Sequence, residues 1–266
     1  KDGLVLGAVI DSRKIEAGNL FIALNGEYVD GHDFVTQARL AGASAALVSE
    51  IQDDELPQLL VDDVVTAFGK IAAYWRQQCS AKVVAITGSN GKTTVKEMVA
   101  SILKQSGSVL ATQGNFNNEL GVPLTLTRLN QNDDYAVIEM GANHAGEIAQ
   151  LVKMVKPDVA IINNVSPAHL EGFGSVEGVA KAKGEIFAGL NEDGIGIINI
   201  DMPYMAMWKR SLDQKKVFLF GLDSMADITA QNIQIDTTSS HFMVKLDDEF
   251  HYINLPLSVI HNVASA

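Results

Sequence analysis

A lysine, two glycines and three threonines are spaced along residues 87–94 as a phosphate-binding loop requires. The run reads Thr-Gly-Ser-Asn-Gly-Lys-Thr-Thr and separates an apolar strand, 83–86, from an amphipathic helix that starts near Val95. The glycines let consecutive backbone N–H groups approach an anion at the positive end of the helix dipole. Lys92 would then reach terminal phosphates, and the Thr93 hydroxyl would bind magnesium. The other interpretation, a solvated glycine-rich turn, does not account for the strand and helix on either side. We call residues 87–94 the phosphate loop.

Two further side chains that bind metal ions well follow other apolar runs. Glu139 comes directly after the run 135–138, and His169 lies in the loop after the run 159–162. Because ligands gather outside the carboxyl ends of parallel strands, both should lie at the sheet edge that carries the phosphate loop. A carboxylate there is a suitable magnesium ligand. The alternatives are a solvent-facing glutamate at a helix start and a loop histidine without a role.

Lys183 lies on an apolar stripe of the predicted helix 176–190, beside Ala180 and Phe187, whereas Lys181 does not. Long amines commonly extend from such positions into solvent, and this remains one interpretation. A lysine kept dry would instead have a lowered pKa and a nucleophilic neutral amine. Such an amine can add carbon dioxide and become an anionic carbamate.

Side-chain amides and small polar groups concentrate in two other segments. Residues 114–121 read Gly-Asn-Phe-Asn-Asn-Glu-Leu-Gly and precede a predicted helix start at Val122-Pro123. Residues 11–13, Asp-Ser-Arg, offer a hydroxyl and a fork-shaped guanidinium suited to a phosphate or a uracil edge. Ordinary turns carry the same residue types, so ligand contact and plain turn formation both stay open.

The elements that must position these residues predict an α/β fold in two domains. Residues 1–80 form a small N-terminal α/β domain, with strands 20–24 and 45–48 and helices 33–41 and 63–78. Residues 81–266 form a P-loop ATPase-like, mostly parallel sheet with added antiparallel strands, because the first strands are apolar on both faces. The predicted parallel strands are 83–86, 135–138, 159–162, 196–198 and 217–220, and the antiparallel strands are 228–235, 242–246 and 251–255.

Composition excludes several kinds of partner. The formal net charge of −12 argues against nucleic acid and against an acidic membrane surface, since either would require clustered Lys and Arg. No apolar stretch approaches the roughly 20 residues that a membrane helix needs. Cys79 is the only cysteine, so neither an internal disulfide nor a cysteine-cluster metal site is expected, which fits a reducing cytoplasm.

Together these segments resemble the Mur ligases, which build the peptide stem of bacterial cell-wall precursors. The similarity runs through residues 11–13, 30–34, the phosphate loop, 114–123, 139–144, 168–173, 182–187 and 261–262. The phrases Gly-Asn-Phe-Asn-Asn-Glu and Lys-Gly-Glu-Ile-Phe resemble the member that adds D-alanyl-D-alanine to UDP-N-acetylmuramoyl-tripeptide.

The resemblance implies a cytoplasmic, monomeric, ATP-dependent ligase that works through an acyl phosphate, with the UDP end of its substrate on the first domain. It assigns catalysis to Lys92, Glu139, His169 and Lys183, and Mg²⁺ to Thr93, Glu139, His169 and Lys183 as a carbamate. It assigns ATP to Gly88, Ser89, Asn90, Gly91, Lys92, Thr93, Thr94 and Asn262, and substrate to Ser12, Arg13, Asn117 and Asn118.

The family also has a third, C-terminal domain that closes over ATP, so we expect these 266 residues to be truncated before it and inactive alone. Two rival functions stay open. A folylpolyglutamate-synthase-like ligase shares the phosphate-loop variant and the modified lysine, but it lacks an N-terminal UDP-binding domain. A nucleotide-binding regulatory module without chemistry would not need Glu139, His169 and Lys183.

Overall fold

The structure, a computed structural model, describes residues 5–223, 225–246 and 249–257. A four-stranded parallel sheet in the order β1-β2-β3-β4 forms the first unit. Its elements are β1 (Ala8–Val9), β2 (Leu20–Ile22), α1 (Val35–Leu40), β3 (Ala45–Val48), β4 (Gln58–Leu60) and α2 (Val64–Gln77). Strands β2 and β3 are buried at every position, as in a parallel sheet covered on both faces.

The first helix starts later than predicted. Instead of one helix over 33–41, Gly31–Phe34 form a 3-10 turn and α1 begins at Val35. Asp30 fixes this turn, because its carboxylate accepts hydrogen bonds from His32 N at 2.9 Å and from His32 Nδ1 at 2.6 Å. A short acidic side chain that bonds local N–H groups competes with helix formation in this way.

Helix α2 belongs to the cores of both units. Asp63 caps its N-terminus. Phe68 packs against the first sheet, whereas Ala72, one turn later, lies in the core of the second. Trp75 Nε1 also donates a hydrogen bond of 2.7 Å to Leu129 O of the second unit. The helix therefore holds the two sheets together through apolar contacts and a directed hydrogen bond.

Nine strands form the second sheet, in the order β13-β12-β11-β10-β9-β8-β5-β7-β6. The parallel strands are β5 (Lys82–Thr87), β6 (Val109–Ala111), β7 (Tyr135–Glu139), β8 (Val159–Ile162), β9 (Ile195–Asn199) and β10 (Lys216–Gly221). The strands β11 (Ile228–Ile235), β12 (Ser240–Leu246) and β13 (Glu249–Leu255) are antiparallel to one another, and β11 joins β10 in parallel. The predicted α/β class, with an antiparallel extension at one edge, is confirmed.

Helices pack on both faces of this sheet. Along β5, Val83 and Ala85 belong to one core cluster and Ile86 to another, because successive side chains point to opposite faces. The helices are α3 (Lys92–Leu103), α4 (Gly121–Leu126), α5 (Glu147–Val155), α6 (Leu170–Phe173), α7 (Val176–Gly184) and α8 (Met205–Ser211). None of the helices in the described ranges is long and apolar enough to cross a membrane.

The predicted helix 176–190 is shorter than expected. Helix α7 ends at Gly184, and Glu185–Gly189 continue as a 3-10 turn. Gly189, at the end of this turn, approaches α5 so closely that a Cβ there would lie 2.5 Å from Val152 Cγ2. The predicted burial of Lys183 with Ala180 and Phe187 is nevertheless present.

Candidate active site

A polar cavity of about 180 Å³ lies beside the phosphate loop. Its lining comes from the segments that follow β5, β6, β7 and β8, and from helix α7. The predicted site residues Gly88, Ser89, Lys92, Asn117, Asn118, His169 and Lys183 line it together with Gly141, Ala142, Asn143 and Glu147. The parallel sheet thus brings together polar groups that are far apart in the sequence.

The phosphate loop has the geometry of an anion site at a helix start. Gly91 has a φ of 72°, in the left-handed region, and α3 begins at the next residue, Lys92. The first helical hydrogen bond runs from Val95 N to Gly91 O at 3.0 Å. The amides of Lys92, Thr93 and Thr94 therefore have no acceptor within the helix and are available to an anion.

The Lys92 ammonium folds back onto its own loop. Its Nζ donates hydrogen bonds to Gly88 O at 2.9 Å and to Ser89 O at 3.4 Å. Burial lowers the pKa of Lys92, and the Glu139 carboxylate partly offsets that effect. The cation is thus held beside the free amides and can exchange its two carbonyl acceptors for phosphate oxygens.

Glu139 connects the phosphate loop to the amide-rich segment. Thr93 Oγ1 donates to Glu139 Oε2 at 2.9 Å, and Asn117 Nδ2 donates to Glu139 Oε1 at 2.7 Å. Glu139 itself is only 1% exposed, whereas Thr93 and Asn117 are more accessible to solvent. Its backbone N donates to Thr112 Oγ1 at 3.0 Å. Glu139 is therefore held from three sides at the carboxyl end of β7.

Lys183 and His169 line the same cavity from the other side. Lys183 is 4% exposed, and burial, followed by the nearby Lys92 charge, lowers its pKa to about 8. No carboxylate of the described residues opposes that shift. His169 has a φ of 51° and immediately precedes α6. The chemistry available here is a partly neutral amine next to an imidazole.

Sequence analysis missed several polar residues of this site. Lys96 is fully buried, and its Nζ donates to Thr112 O at 2.7 Å. Asn143 and Glu147 line the cavity, and the Asn143 N–H donates to Glu147 Oε2 at 2.7 Å. The sequence position of Asn143 and Glu147 could have indicated them, because both follow β7 within eight residues of Glu139.

Three predicted substrate residues have structural partners as well. Asn118 lines the cavity, and its Oδ1 accepts from Gly121 N at 2.9 Å, so it also caps α4. Arg13 is paired with Asp11 through two hydrogen bonds of 2.9 Å, and this pairing lowers the pKa of Asp11 to about 2. Ser12 Oγ donates to Gln37 Oε1 at 3.3 Å.

Ser12 and Arg13 lie in a second pocket, of about 640 Å³, on the first unit. Apolar side chains such as Phe21 and Phe34 share its lining with these polar groups, as a ligand with flat and polar parts requires. Asn262 lies outside the described residues. In the described parts of the chain, no three His, Cys, Asp or Glu side chains are grouped as metal ligands. A metal ion in the cavity would need hydroxyl, ligand or water oxygens as well.

Known proteins match the chain over nearly its whole length. The sequence profile of the Mur ligase middle domain matches residues 86–266, and that of the Mur ligase family catalytic domain matches residues 6–76. A UDP-N-acetylmuramoyl-tripeptide–D-alanyl-D-alanine ligase of Escherichia coli strain K12 is 51% identical over 257 residues. That alignment covers 96% of this chain and 57% of the relative, so the chain spans little more than half of its length.

Solved structures agree with the sequence matches. A crystal structure of MurF from Acinetobacter baumannii superimposes with a TM-score of 0.92 at 39% identity, over 97% of this chain and 57% of that one. A MurF ligase from Thermotoga maritima in complex with ADP gives a TM-score of 0.88 at 32% identity, over 100% of this chain and 62% of that one.

Proposed function

The chain belongs to the Mur ligase family, and from that premise we propose that it is the substrate- and ATP-binding part of an enzyme that joins D-alanyl-D-alanine to UDP-N-acetylmuramoyl-tripeptide. The tripeptide carboxylate attacks the γ-phosphorus of ATP, ADP leaves, and an acyl phosphate forms. The dipeptide amine then attacks the acyl carbon, and phosphate leaves as the amide forms. The product is a precursor of peptidoglycan.

The cavity beside the phosphate loop carries this proposal. Phosphoryl transfer depends chiefly on positioning and on neutralisation of charge. The amides at the start of α3 and the Lys92 ammonium offer both to the phosphates. The Asn117 and Asn118 amides line the space where the substrate carboxylate must approach. His169 and Lys183 complete the lining, so three of the four family-assigned catalytic groups line one small volume. The fourth, Glu139, is hydrogen-bonded to Asn117 of that lining.

Thr93 and Glu139 fit a magnesium ion. Their oxygens lie 2.9 Å apart, which is about the separation of two adjacent ligands in an octahedron with Mg–O bonds of 2.0–2.1 Å. A hydroxyl and one carboxylate, completed by phosphate oxygens and water, is also a common ligand set for Mg²⁺. We therefore assign Thr93 and Glu139 to one ion, and His169 with Lys183 to a second. When bound, magnesium would neutralise charge on the transferred phosphoryl group.

Lys183 fits the second ion only as a carbamate, since an ammonium would repel it. The neutral amine nitrogen attacks the carbon of CO₂, a C–N bond forms, and one proton leaves for solvent. The anion that results reverses the charge at this position. Burial, which lowers the pKa of Lys183 to about 8, supplies the neutral amine that this step consumes.

We assign residues 1–80 to binding of the UDP end and residues 81–266 to binding of ATP. The Ser12 and Arg13 pocket supports the first assignment, because a guanidinium and a hydroxyl beside aromatic rings suit a nucleotide. Turnover requires a further domain, the protein acts as a monomer, and the reaction takes place in the cytoplasm, where Cys79 stays reduced.

Neither rival function accounts for these observations as well. A folate ligase would leave the pocket of the first unit without a role. A regulatory nucleotide-binding module would have no use for the buried Lys183 amine or for the Asn117–Glu139 pair. The 51% identity to a UDP-N-acetylmuramoyl-tripeptide–D-alanyl-D-alanine ligase supports the same choice.

Calorimetry on the 266-residue chain tests the proposal. We expect UDP-N-acetylmuramoyl-tripeptide and Mg-ATP to bind, and a folate not to bind. Lys92→Ala should abolish measurable Mg-ATP binding and leave the UDP ligand affinity unchanged, whereas Arg13→Ala should do the reverse. Folate binding without UDP ligand binding selects the first rival, and nucleotide binding without either substrate selects the second. Unchanged Mg-ATP affinity in Lys92→Ala contradicts the assigned site.

A further inference from the structure

The two residues between the glycines of the phosphate loop are bonded to the loop after β8. Ser89 N donates to Asn164 O at 3.0 Å, and Asn90 N donates to Asn164 Oδ1 at 2.9 Å. An N–H group makes one good hydrogen bond at a time. The amides of Ser89 and Asn90 are therefore committed to protein acceptors and are not free for a phosphate.

Asn164 holds both polar groups of the Asn90 backbone. Besides accepting from Asn90 N, its side chain donates from Nδ2 to Asn90 O at 2.9 Å. Asn163 Nδ2 donates to the same oxygen at 3.1 Å, so Asn164 is the residue that bonds both groups. A side-chain amide bonded to both the N–H and the C=O of one residue makes the two hydrogen bonds that a neighbouring strand would otherwise make. This two-point contact fixes the peptide planes on both sides of Asn90, since each peptide unit is planar.

The fixed peptide planes determine where the next amide points. Asn90 C=O and Gly91 N–H belong to one trans peptide unit, so they point in opposite directions. With Asn90 O held toward Asn164, the Gly91 N–H is directed away from Asn164. The left-handed conformation of Gly91 then leads into the free amides of Lys92 and Thr93. Successive N–H groups in such an arrangement form an anion-binding concavity.

Neighbouring contacts make the β8 loop a firm support. Ser89 Oγ donates to Ser166 O at 3.1 Å and accepts from Ser166 N at 3.0 Å. Ser166 Oγ in turn accepts from Asn90 Nδ2 at 2.9 Å. Asn199 Nδ2, from the end of β9, donates to Asn163 O at 3.1 Å. The phosphate loop is thus tied to two strands besides its own.

We propose that Asn164 is a positioning residue for the nucleotide: it holds the Asn90 peptide so that only the amides from Gly91 to Thr94 bind phosphate. The inference rests on the proposed ATP binding. Under this proposal Ser89 and Asn90, which the resemblance assigns to ATP, serve the nucleotide through their attachment to Asn164 and not through their own amides.

Backbone NMR with Mg-ADP as the probe tests which amides bind. On saturation, the N–H signals of Gly91 to Thr94 should move strongly, whereas those of Ser89 and Asn90 should move little. Shifts of Ser89 and Asn90 as large as that of Lys92 would overturn the proposal, since those amides would then have left Asn164 for the phosphate.

Substitution of Asn164 tests the positioning role. Asn164→Leu keeps the side-chain size and removes both side-chain bonds, and we expect Mg-ADP affinity to fall about 10-fold or more. Asn164→Asp keeps an acceptor for Asn90 N and places an oxygen against Asn90 O, so it should also weaken binding. The matched control is Asn191→Leu, which removes a 3.3 Å bond to Lys156 O outside the cavity lining; it should leave affinity unchanged.

UDP ligand affinity at the first unit separates a local effect from general damage. It should stay unchanged in Asn164→Leu and Asn164→Asp, since neither substitution touches that pocket. If Asn164→Leu does not fold, the Mg-ADP affinity of Asn164→Asp decides between the outcomes. Wild-type Mg-ADP affinity in a folded Asn164 variant overturns the inference. Failure of the wild-type chain to bind any adenine nucleotide instead overturns the proposed function.

Discussion

Replacing Lys183 should stabilise the protein while it removes a group that we propose to be catalytic. In the folded state burial lowers the pKa of Lys183 from 10.5 to about 8. At 1.36 kcal/mol per pH unit, that difference corresponds to about 3 kcal/mol of unfavourable free energy for the buried ammonium. Lys183→Met keeps most of the apolar contacts and removes the charge. We therefore expect the unfolding free energy of the variant to exceed that of the wild type by up to about 3 kcal/mol at pH 7.

The sign of the pH dependence follows from proton binding. Below about pH 8 Lys183 is protonated in both the folded and the unfolded state, so the wild type has the full free-energy penalty of the buried ammonium. Between about pH 8 and 10.5 the unfolded state binds more protons, and the wild-type stability should rise with pH. The advantage of Lys183→Met should therefore shrink over this interval. Lys181→Met, on the exposed side of the same helix, should change the stability by less than about 0.5 kcal/mol.

Urea unfolding in carbon-dioxide-free buffer, from pH 7 to 10, measures these differences. At pH 7.5 a lysine with a pKa of about 8 is roughly one quarter neutral, against roughly one in a thousand for an ordinary lysine. Incubation with ¹³C-bicarbonate should accordingly give a carbamate signal that Lys183→Met lacks. Equal stability of wild type and variant at pH 7, with parallel pH profiles, would refute the argument from burial. Absence of the carbamate signal with magnesium and nucleotide present would refute the modification.

Two further substitutions separate positioning from plain stability. Lys96→Met should lower the unfolding free energy by about 1–3 kcal/mol, because it leaves Thr112 O unpaired. It should also raise the Mg²⁺ concentration for half-maximal Mg-ATP binding about 10-fold or more, because Thr112 also holds Glu139. Lys96 Nζ also pairs with Glu97 Oε1 at 2.9 Å. Arg76→Met, which removes another buried cation that donates to backbone carbonyls, should destabilise the protein without changing that Mg²⁺ concentration. Gly141→Ala places a Cβ 2.8 Å from Asn117 Oδ1. Calorimetry on this variant should show weaker tripeptide binding with nearly unchanged Mg-ADP binding. The opposite pattern would contradict the assignment of Asn117 to the substrate.

Buried central strands were predictable because their signal is local. Strands β3 and β8 match their predicted bounds, since each is a short apolar run between polar residues. Strands β1, β4 and β6 have only two or three residues each, and none of their residues is fully buried. Such edge strands form because a neighbouring strand is present, and a pattern within the strand does not reveal that.

Site residues were predictable where periodicity or strand position determined them. Lys183 could be identified because its burial follows from the apolar face of one helix. Lys96 also lies on a helix, but its partner Thr112 belongs to the end of a strand that the sequence did not indicate. Ile102 shows the converse error: its helical spacing from Val95 predicts a place on the apolar face of α3, but it is 61% exposed. Side-chain pairing across loops, as at Asn164, leaves no local pattern at all.

Three lysines at or near the phosphate loop would allow an acidic chain to bind the anionic ligands that we propose for it. The formal charge of −12 is spread over the surface, where salt screens it within a Debye length of about 8 Å. Lys92, Lys183 and Lys96 lie inside, at or behind the cavity, where the lower dielectric constant makes each charge more effective. Without a bound metal, three cations would favour the binding of ATP but would hinder the binding of magnesium. A carbamate on Lys183, together with the Glu139 carboxylate, would provide the negative charge that two magnesium ions require. The proposed modification and the metal sites thus depend on each other.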